Sequence, residues 1–335
     1  MIGLSIETSC DETSVAIIKD GREVLSNIVS TQIEIHKAFG GVVPEIASRK
    51  HLTNISYVVK EAIDTANITF EDLNYIGVTY GPGLIGALLV GVSYAKSLAY
   101  SLNIPIVPVH HIEGHIAANY LTYENLKPPF LALVVSGGHS HLIHVKDYTE
   151  FEIVAKTRDD AVGEAFDKVA RVLGLPYPGG PEVSKLALQG EFTYKLPKTK
   201  FDNLDFSFSG IKTAVINIAH KEKENLRKAD LACSFEQTVC EELTENAMEA
   251  LKTLNLKDIV LAGGVSANRV LREMIQKSAK ENGYNAYMPE LRYCTDNAAM
   301  IGSAAHYNFI SDKYFKISDK LDLNAIANIK IDDKK

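Results

Sequence analysis

Two histidines in the first half of the chain have the spacing of metal ligands. His111 and His115 are four residues apart in the segment His-Ile-Glu-Gly-His, so on a helix their imidazoles lie one above the other on the same face. Glu113 falls roughly 200° around the helix from His111, because each residue turns the helix by about 100°. Its carboxylate therefore points away from the imidazoles. This disfavours the mechanism of His-Glu-x-x-His zinc proteases, in which the glutamate is the general base.

A carboxylate that could complete such a site is Asp296, at the start of a predicted helix late in the chain. Two imidazoles and one carboxylate with open coordination positions suit Fe(II) or Zn(II). The spacing also fits a second interpretation, in which His110, His111 and His115 form a hydrogen-bonded helix start and Asp296 is an N-cap. The residue types alone leave both interpretations open.

Three loops have the composition of phosphate-binding turns. Residues 7–14 (Glu-Thr-Ser-Cys-Asp-Glu-Thr-Ser) and 136–140 (Ser-Gly-Gly-His-Ser) are rich in hydroxyls and glycine, which suits N–H and O–H donors aimed at phosphate oxygens. Gly137 and Gly138 would permit close approach of a ligand and positive φ angles. Residues 263–268 join a strand to a helix N-terminus, where the dipole favours an anion. Each loop alone is also typical of an ordinary turn, and their matching positions favour phosphate.

The elements around these loops recur, which predicts a duplicated α/β fold. Three strands joined by short turns open the chain, and the same meander returns later. Each meander is followed by a strand, a glycine-containing loop, a long helix and a further strand. The predicted strands are 2–6, 15–19, 23–29, 73–79 and 106–109 in the first half, and 131–135, 141–145, 151–155, 257–261 and 286–288 in the second. Two such halves would face each other across a cleft.

The duplication sets the predicted domains. Residues 1–129 form the first half, with a helical insertion at about 31–65, and residues 130–310 form the second half. The last helix of the second half, at about 296–310, could pack back on the first half. Residues 311–335 are polar and charge-rich, and we expect a partly ordered tail.

The composition bounds the class of protein. The chain has 335 residues, of which 46% are hydrophobic and 23% charged, as in an ordinary soluble protein of two domains. It has no basic leader, and the most apolar stretch is too short to span a bilayer of about 30 Å, so we expect a cytoplasmic location without a membrane. Its scattered cysteines predict neither a zinc ribbon nor a disulfide framework. The formal net charge of −7 argues against a general nucleic-acid-coating protein, because contacts with phosphate groups need Lys and Arg.

Several motifs stand together in the order found in one known family. The motifs are Ile6-Glu7-Thr8-Ser9-Cys10-Asp11-Glu12-Thr13, Gly81-Pro82-Gly83, His111-Ile112-Glu113-Gly114-His115, Val135-Ser136-Gly137-Gly138-His139, Asp205-Phe206-Ser207-Phe208-Ser209-Gly210, Ala262-Gly263-Gly264-Val265-Ser266-Ala267-Asn268-Arg269 and Cys294-Thr295-Asp296-Asn297. With these motifs, over about residues 1–310 the chain resembles the universal tRNA threonylcarbamoyladenosine transferases, once called O-sialoglycoprotein endopeptidases or glycoproteases, and residues 40–49 resemble the bacterial branch.

The resemblance implies the actin/Hsp70/hexokinase-like (ASKHA) fold, with two RNase H-like halves, and one reaction. The family takes threonylcarbamoyl from threonylcarbamoyl-adenylate, which a separate synthase makes. It transfers this group to N6 of the adenine 3′ to the anticodon, in tRNAs that read codons beginning with A, and releases AMP. The resemblance implies that His111, His115 and Asp296 bind one divalent metal ion, Fe(II) in preference to Zn(II), and that Asp11 and Glu12 are needed for activity. Positions matched to adenylate contacts are Val134, Val135, Ser136, Gly137, Gly138, Asp167, Gly180 and Asn268.

The resemblance also implies two partner proteins, a paralogous ASKHA subunit and a small P-loop ATPase. One candidate docking face is an apolar stripe on the insertion helix, for which core packing is the other interpretation: Ile46, Ile55, Val58, Val59 and Ile63. Four lysines could contact RNA, although a solvated surface is the simpler interpretation: Lys195, Lys198, Lys200 and Lys212. Two rival functions are an ATP-dependent kinase or chaperone of the same fold, which would not need the metal ligands, and a non-catalytic scaffold.

Overall fold

The computed structural model describes residues 1–316 and 322–333. The chain divides into two compact units. The first unit comprises Met1–Pro128, Lys146–Phe151 and Pro289–Lys335, and the second comprises Pro129–Val145 and Glu152–Met288.

A mixed five-stranded sheet forms the centre of the first unit. Its strands are β1 (Ile2–Glu7), β2 (Glu12–Lys19), β3 (Glu23–Thr31), β4 (Tyr75–Gly81) and β5 (Ile106–His110), in the order β3-β2-β1-β4-β5. β1 pairs antiparallel with β2 and parallel with β4. The Asp20–Gly21 turn between β2 and β3 has positive φ at both residues, as the tight turns of twisted hairpins require. Almost every residue of β1 and β4 is buried, because helices cover both faces of these strands.

The second sheet has the same strand order as the first. Its strands are β6 (Phe130–Val135), β7 (Ser140–Asp147), β8 (Glu150–Lys156), β9 (Asp258–Ala262) and β10 (Asn285–Tyr287), in the order β8-β7-β6-β9-β10. β6 pairs antiparallel with β7 and parallel with β9, as β1 does with β2 and β4. The predicted duplicated α/β fold is therefore confirmed.

Ten helices surround the two sheets in the described part of the chain. They are α1 (Ile33–Lys37), α2 (Pro44–Ala66), α3 (Ile85–Leu102), α4 (His111–Ala117), α5 (Val162–Leu173), α6 (Gly179–Ala187), α7 (Ser209–Glu222), α8 (Lys228–Thr253), α9 (Arg269–Asn282) and α10 (Ala298–Ile310). Several end where the sequence allows a left-handed residue, as α2 does at Asn67 and α9 at Gly283.

The apolar stripe on α2 belongs to the core of the first unit. Ile55, Val58, Val59 and Ile63 are buried, and Ile46 is half-buried. α2 packs on β2, β3 and α3, so the stripe covers the sheet, and the interpretation of these residues as a docking face is wrong. The exposed apolar side chains of α2 are Leu52 and Tyr57.

α10 and the residues after it complete the first unit. α10 packs against β1, β2, β5 and α4. Further on, Ile326 donates a backbone hydrogen bond of 2.8 Å to the carbonyl oxygen of Tyr80, and Leu323 is buried. The described part of the polar C-terminal segment therefore lies along β4. Residues 317–321 and 334–335 of the predicted tail lie outside the described residues.

Among the described residues, α3 is the one helix that is long and apolar enough to cross a membrane by length and composition. Such a helix is weak evidence for a membrane. In this fold α3 packs against α2 and β4.

Candidate active site

The histidine pair lies where β5 passes into α4. His110 is the N-cap of α4: its Nδ1 accepts a hydrogen bond of 3.2 Å from the Ile112 backbone N–H, and the Glu113 carboxylate accepts one of 3.4 Å from the His110 N–H. The hydrogen-bonded helix start is thus formed by His110 and Glu113. This capping box fixes the first turn of α4, and His111 and His115 lie on it as neighbours.

Asp296 meets both imidazoles from another part of the chain. Its Oδ1 lies 3.6 Å from His111 Nε2 and 3.2 Å from His115 Nε2. The N-cap of α10 is Asn297, whose Oδ1 accepts a hydrogen bond of 3.1 Å from the Met300 N–H. The N-cap interpretation of Asp296 is therefore wrong.

The three side chains fit a divalent cation. One ligand atom from each of His111, His115 and Asp296 lies within 4.8 Å of the others, so a small inward shift of the side chains would bring all three to roughly 2.0–2.2 Å from a shared ion. His115 is buried, and its Nε2 has the Asp296 carboxylate 3.2 Å away as a neighbour. A cation between them would bind both the Nε2 lone pair and the negative charge of Asp296.

The charges around this triad shift its protonation when no metal is bound. Burial lowers the pKa of His111, but the negative charges of Asp296 and Glu7 outweigh burial and raise the pKa to about 9. Burial lowers the pKa of His115 below its usual range. The carboxylates of Asp296 and Glu7 thus favour a positive charge at this site. A proton on His111 or a metal ion can supply it.

The loop between β1 and β2 brings Asp11 and Glu12 close to the same site. Asp11 is buried, and Glu12 accepts a hydrogen bond of 3.1 Å from the Thr31 hydroxyl. Burial raises the pKa of Glu12, and the nearby carboxylates of Asp296 and Asp11 raise it further, to about 10. Glu12 therefore holds a proton at neutral pH in the metal-free site.

His51, which the sequence analysis did not identify, holds this loop from α2. Its Nδ1 lies 2.8 Å from Thr13 Oγ1 and its Nε2 lies 3.0 Å from the carbonyl oxygen of Cys10. The two contacts bracket Asp11 and Glu12. Nothing local in the sequence indicates a contact between residues so far apart.

In the second unit, the Ser-Gly-Gly loop leaves open space beside its glycines. Ser136 closes the turn, since its backbone N–H donates to the His139 carbonyl at 2.8 Å and its Oγ accepts from the His139 N–H at 3.1 Å. A Cβ built on Gly137 or Gly138 would meet no atom within 4 Å. Neither glycine has a positive φ, so that part of the sequence expectation is wrong. What the two glycines provide is a surface that a ligand can approach closely.

The valines before this loop face the core. Val134 and Val135 are fully buried in β6, so only their backbone could contact a ligand. The neighbouring loop after β9 approaches them closely: Gly263 has φ +86°, and a Cβ on it would lie 2.4 Å from the Val135 carbonyl oxygen. The two loops therefore lie side by side at the carboxyl ends of parallel strands, where α/β sheets bind ligands.

Asp167 and Gly180 meet at the start of α6. Asp167 accepts a hydrogen bond of 2.7 Å from the Gly179 N–H. Burial raises the pKa of Asp167, although the backbone N–H groups of Gly179 and Gly180 lower it in part. A Cβ on Gly180 would meet no atom within 4 Å, so this turn also leaves room for a ligand.

Asn268 is fixed by two residues that the sequence analysis did not identify. Its Oδ1 caps α9 by accepting the Leu271 N–H at 2.9 Å, and its Nδ2 donates to Glu236 Oε1 at 2.7 Å and to Ser184 Oγ at 3.1 Å. Ser184 lies one turn along α6 from Gly180. Asp167 and Asn268 thus each contact α6, the helix on which Gly180 lies.

The fold and these side chains define a class of protein: duplicated α/β proteins of the actin/Hsp70/hexokinase type. A HypF structure in the phosphate- and nucleotide-bound form is similar over 92% of this chain and 46% of its own, with a TM-score of 0.65 at 16% identity. Component A of the (R)-2-hydroxyglutaryl-CoA dehydratase of Acidaminococcus fermentans is similar over 93% of this chain and 98% of its own, with a TM-score of 0.55 at 15% identity. At these identities the likeness concerns the fold alone.

Sequence comparison identifies the family within that class. Residues 23–303 match the family described as tRNA N6-adenosine threonylcarbamoyltransferase. Proteins of that name from Clostridioides difficile and Clostridium novyi are 55% and 53% identical to this chain, over 99% of it and 98% of each relative. The chain belongs to the tRNA N6-adenosine threonylcarbamoyltransferase family, and the resemblance drawn from its motifs is confirmed.

Proposed function

We propose that this protein transfers threonylcarbamoyl from threonylcarbamoyl-adenylate to N6 of the adenine 3′ to the anticodon of tRNA and releases AMP. The tRNAs are those that read codons beginning with A. One observation carries the proposal. The His111–His115–Asp296 triad is assembled in a chain whose relatives over nearly their whole length bear the name of this activity.

The triad would hold one divalent metal ion, Fe(II) in preference to Zn(II), since two nitrogens and one carboxylate with open positions suit that ion. When bound, the ion supplies a Lewis acid that holds and polarises oxygens of the threonylcarbamoyl group. His111 and His115 would bind it through Nε2, because these are the ring nitrogens that face Asp296. His111 must lose its proton for this, because its pKa without metal is about 9.

The adenylate moiety would bind to loops of the second unit. The backbone N–H groups of Gly137 and Gly138 would hold the phosphate, because the open space beside these glycines admits oxygens close to the chain. Asp167, Gly180 and Asn268 would contact the nucleoside. The carboxylate of Asp167 suits ribose hydroxyl groups, which donate hydrogen bonds.

The chemical step joins nitrogen to a carbonyl carbon. N6 of the tRNA adenine attacks the carbamoyl carbon, the bond from that carbon to the bridging oxygen of the mixed anhydride breaks, and this oxygen leaves with AMP. The proton lost by N6 goes to a carboxylate of the Asp11–Glu12 loop. We propose Asp11 as the acceptor, with Glu12 as the alternative. The protein's main contributions are then alignment and stabilisation of the oxyanion.

A paralogous ASKHA subunit and a small P-loop ATPase are the proposed protein partners, in the cytoplasm. The paralogue would dock on exposed apolar side chains of the adjacent helices α2 and α3: Leu52, Tyr57, Ile85, Leu89 and Tyr100. Two of the lysines considered for RNA are engaged otherwise, because Lys198 pairs with Glu241 and Glu245 and Lys212 pairs with Asp160. With a net charge of −7, the chain would then rely on its partners for part of the tRNA contact.

The proposal is tested by incubating the protein and its partners with threonylcarbamoyl-adenylate and unmodified tRNA. Nucleosides from the digested tRNA are then analysed by mass spectrometry. We expect threonylcarbamoyladenosine at the position 3′ to the anticodon and an equal amount of AMP. A tRNA with guanosine at that position is the matched control and should gain no modification. Release of AMP without any modified nucleoside would contradict the transfer reaction.

A further inference from the structure

A glutamate at the end of β1 lies directly behind one of the metal ligands. Glu7 is fully buried, and its Oε2 lies 3.0 Å from His111 Nδ1. The Thr79 hydroxyl donates a hydrogen bond of 2.7 Å to the same oxygen, and the Ser9 backbone N–H donates to Oε1. A buried carboxylate with this many donors has one orientation, because any rotation would leave a donor unsatisfied.

The ring nitrogen that faces Glu7 decides whether His111 can bind a metal through its other nitrogen. A neutral imidazole carries one proton, so Nε2 has a lone pair for a metal only when Nδ1 carries the proton. His111 Nδ1 has a second neighbour, Ser9 Oγ at 3.2 Å. A hydroxyl can donate or accept and would allow either tautomer, whereas a carboxylate can only accept. Glu7 is therefore the group that selects the Nδ1–H tautomer.

The second imidazole has no comparable support. In the described structure His115 Nδ1 is buried without a hydrogen-bond partner. Of the two histidines in the triad, His111 alone is oriented by an acceptor behind its ring. The geometry of the site should therefore depend on Glu7 more than on any group behind His115.

We propose that Glu7 is the positioning residue of the metal site: it fixes the tautomer and ring orientation of His111. This rests on the metal site of the proposed function and adds a residue to it. The same carboxylate also accepts the Ser9 N–H, at the start of the loop that carries Asp11 and Glu12. One buried side chain thus contacts both a metal ligand and the loop between β1 and β2. Residues of this kind typically alter metal affinity by about 10–100-fold.

The test is the affinity for zinc chloride of the purified protein, measured by competition with a chromophoric chelator. In Glu7→Gln the amide can donate to Nδ1 and stabilise the wrong tautomer. The matched control is Glu113→Gln, a buried glutamate on the helix of the two histidines whose capping role glutamine can also fill. We expect zinc to bind Glu7→Gln about 10–100-fold more weakly and Glu113→Gln as the wild type does. Equal affinity of all three proteins would overturn the proposal.

A second measurement separates positioning from a general effect on folding. In the zinc-loaded wild type, the His111 Nδ1 proton should give a downfield, slowly exchanging NMR resonance, because it is buried and donated to a carboxylate. The resonance should be lost or move upfield in Glu7→Gln and stay unchanged in Glu113→Gln. If Glu7→Gln does not fold, the wild-type spectrum alone is the test. Absence of the His111 Nδ1 proton resonance from that spectrum would overturn the proposal. Neither measurement involves tRNA, so failure here leaves the transfer assay as an independent test of the proposed function.

Discussion

His51 of α2 is hydrogen-bonded to Thr13 of β2, with 2.8 Å between its Nδ1 and the threonine Oγ1. Its other nitrogen contacts the Cys10 carbonyl oxygen. Burial lowers the pKa of His51, so the ring is neutral at physiological pH and can donate from one nitrogen and accept at the other. The inserted helix therefore holds the loop that carries the two acidic residues proposed for proton transfer.

Replacement of this histidine should impair the reaction without removing the metal ligands. We expect His51→Ala to lower the transfer rate by at least about tenfold, because misplacement of a reacting group by about 1 Å can cost 10²-fold. Zinc affinity should change by less than the transfer rate. Thr53→Ala, at an exposed position of the same helix, is the matched control. Normal transfer by a folded His51→Ala protein would show that the loop keeps its position without this contact.

The two acids of the loop should differ in their response to amide substitution. Glu12 holds a proton in the metal-free site, and glutamine resembles a protonated glutamate in shape and polarity. We expect Asp11→Asn to lower single-turnover transfer by about 10²–10⁴-fold, with zinc affinity retained, and Glu12→Gln to lower it far less. The reverse order would assign the proton transfer to Glu12.

Alanine at two glycines of the second unit should separate ligand binding from folding. A Cβ on Gly138 would meet no protein atom within 4 Å, whereas one on Gly163 would lie 2.7 Å from the Ser136 carbonyl oxygen. Gly138→Ala should therefore melt at the wild-type temperature but bind AMP about tenfold more weakly, since an intruding methyl costs about 1–3 kcal/mol. Gly163→Ala should lower both the melting temperature and AMP binding. Unchanged calorimetric binding of AMP by Gly138→Ala would place the phosphate elsewhere.

A buried glutamate outside both sites should make stability depend on pH. Burial raises the pKa of Glu242 on α8 to about 7, against smaller lowering contributions from the Ser207 backbone and Lys198. The folded protein therefore holds this proton at pH values where the unfolded chain, with a pKa near 4.5, has lost it. Protonated Glu242 therefore contributes to the free energy of unfolding, fully below about pH 4.5, and this contribution is lost as the pH rises through 7. The loss amounts to at most about 3 kcal/mol.

Glu242→Gln should remove this dependence. We expect its free energy of unfolding in urea to exceed that of the wild type at pH 8.5, and the difference to shrink at pH 5.5. The control is Glu249→Gln, at an exposed position of the same helix, which should follow the wild type at both pH values. An equal gain in the free energy of unfolding at both pH values would mean that better packing, and not the ionisation of Glu242, makes the variant more stable.

The sequence predicted those features that depend on residues close together in the chain. The recurrence of strands and glycine loops predicted a duplicated α/β fold, and the spacing of His111 and His115 placed both imidazoles on one helix face. The sequence could not separate the core from the surface on α2, because a periodic apolar stripe fits either role. It also could not indicate His51, Glu7 or Glu236 as supports of the site, since each acts through contacts with residues distant in the chain.

The central claim is a transfer reaction that depends on the metal triad. The direct measurement is transfer of labelled threonylcarbamoyl from its adenylate to unmodified tRNA, with the partner proteins present, by the wild type and by His111→Ala. We predict transfer by the wild type and its loss in His111→Ala, with melting curves showing that both proteins are folded. Equal transfer by the two proteins would contradict a role for the triad. No transfer by either, with partners of proven activity, would contradict the proposed reaction itself.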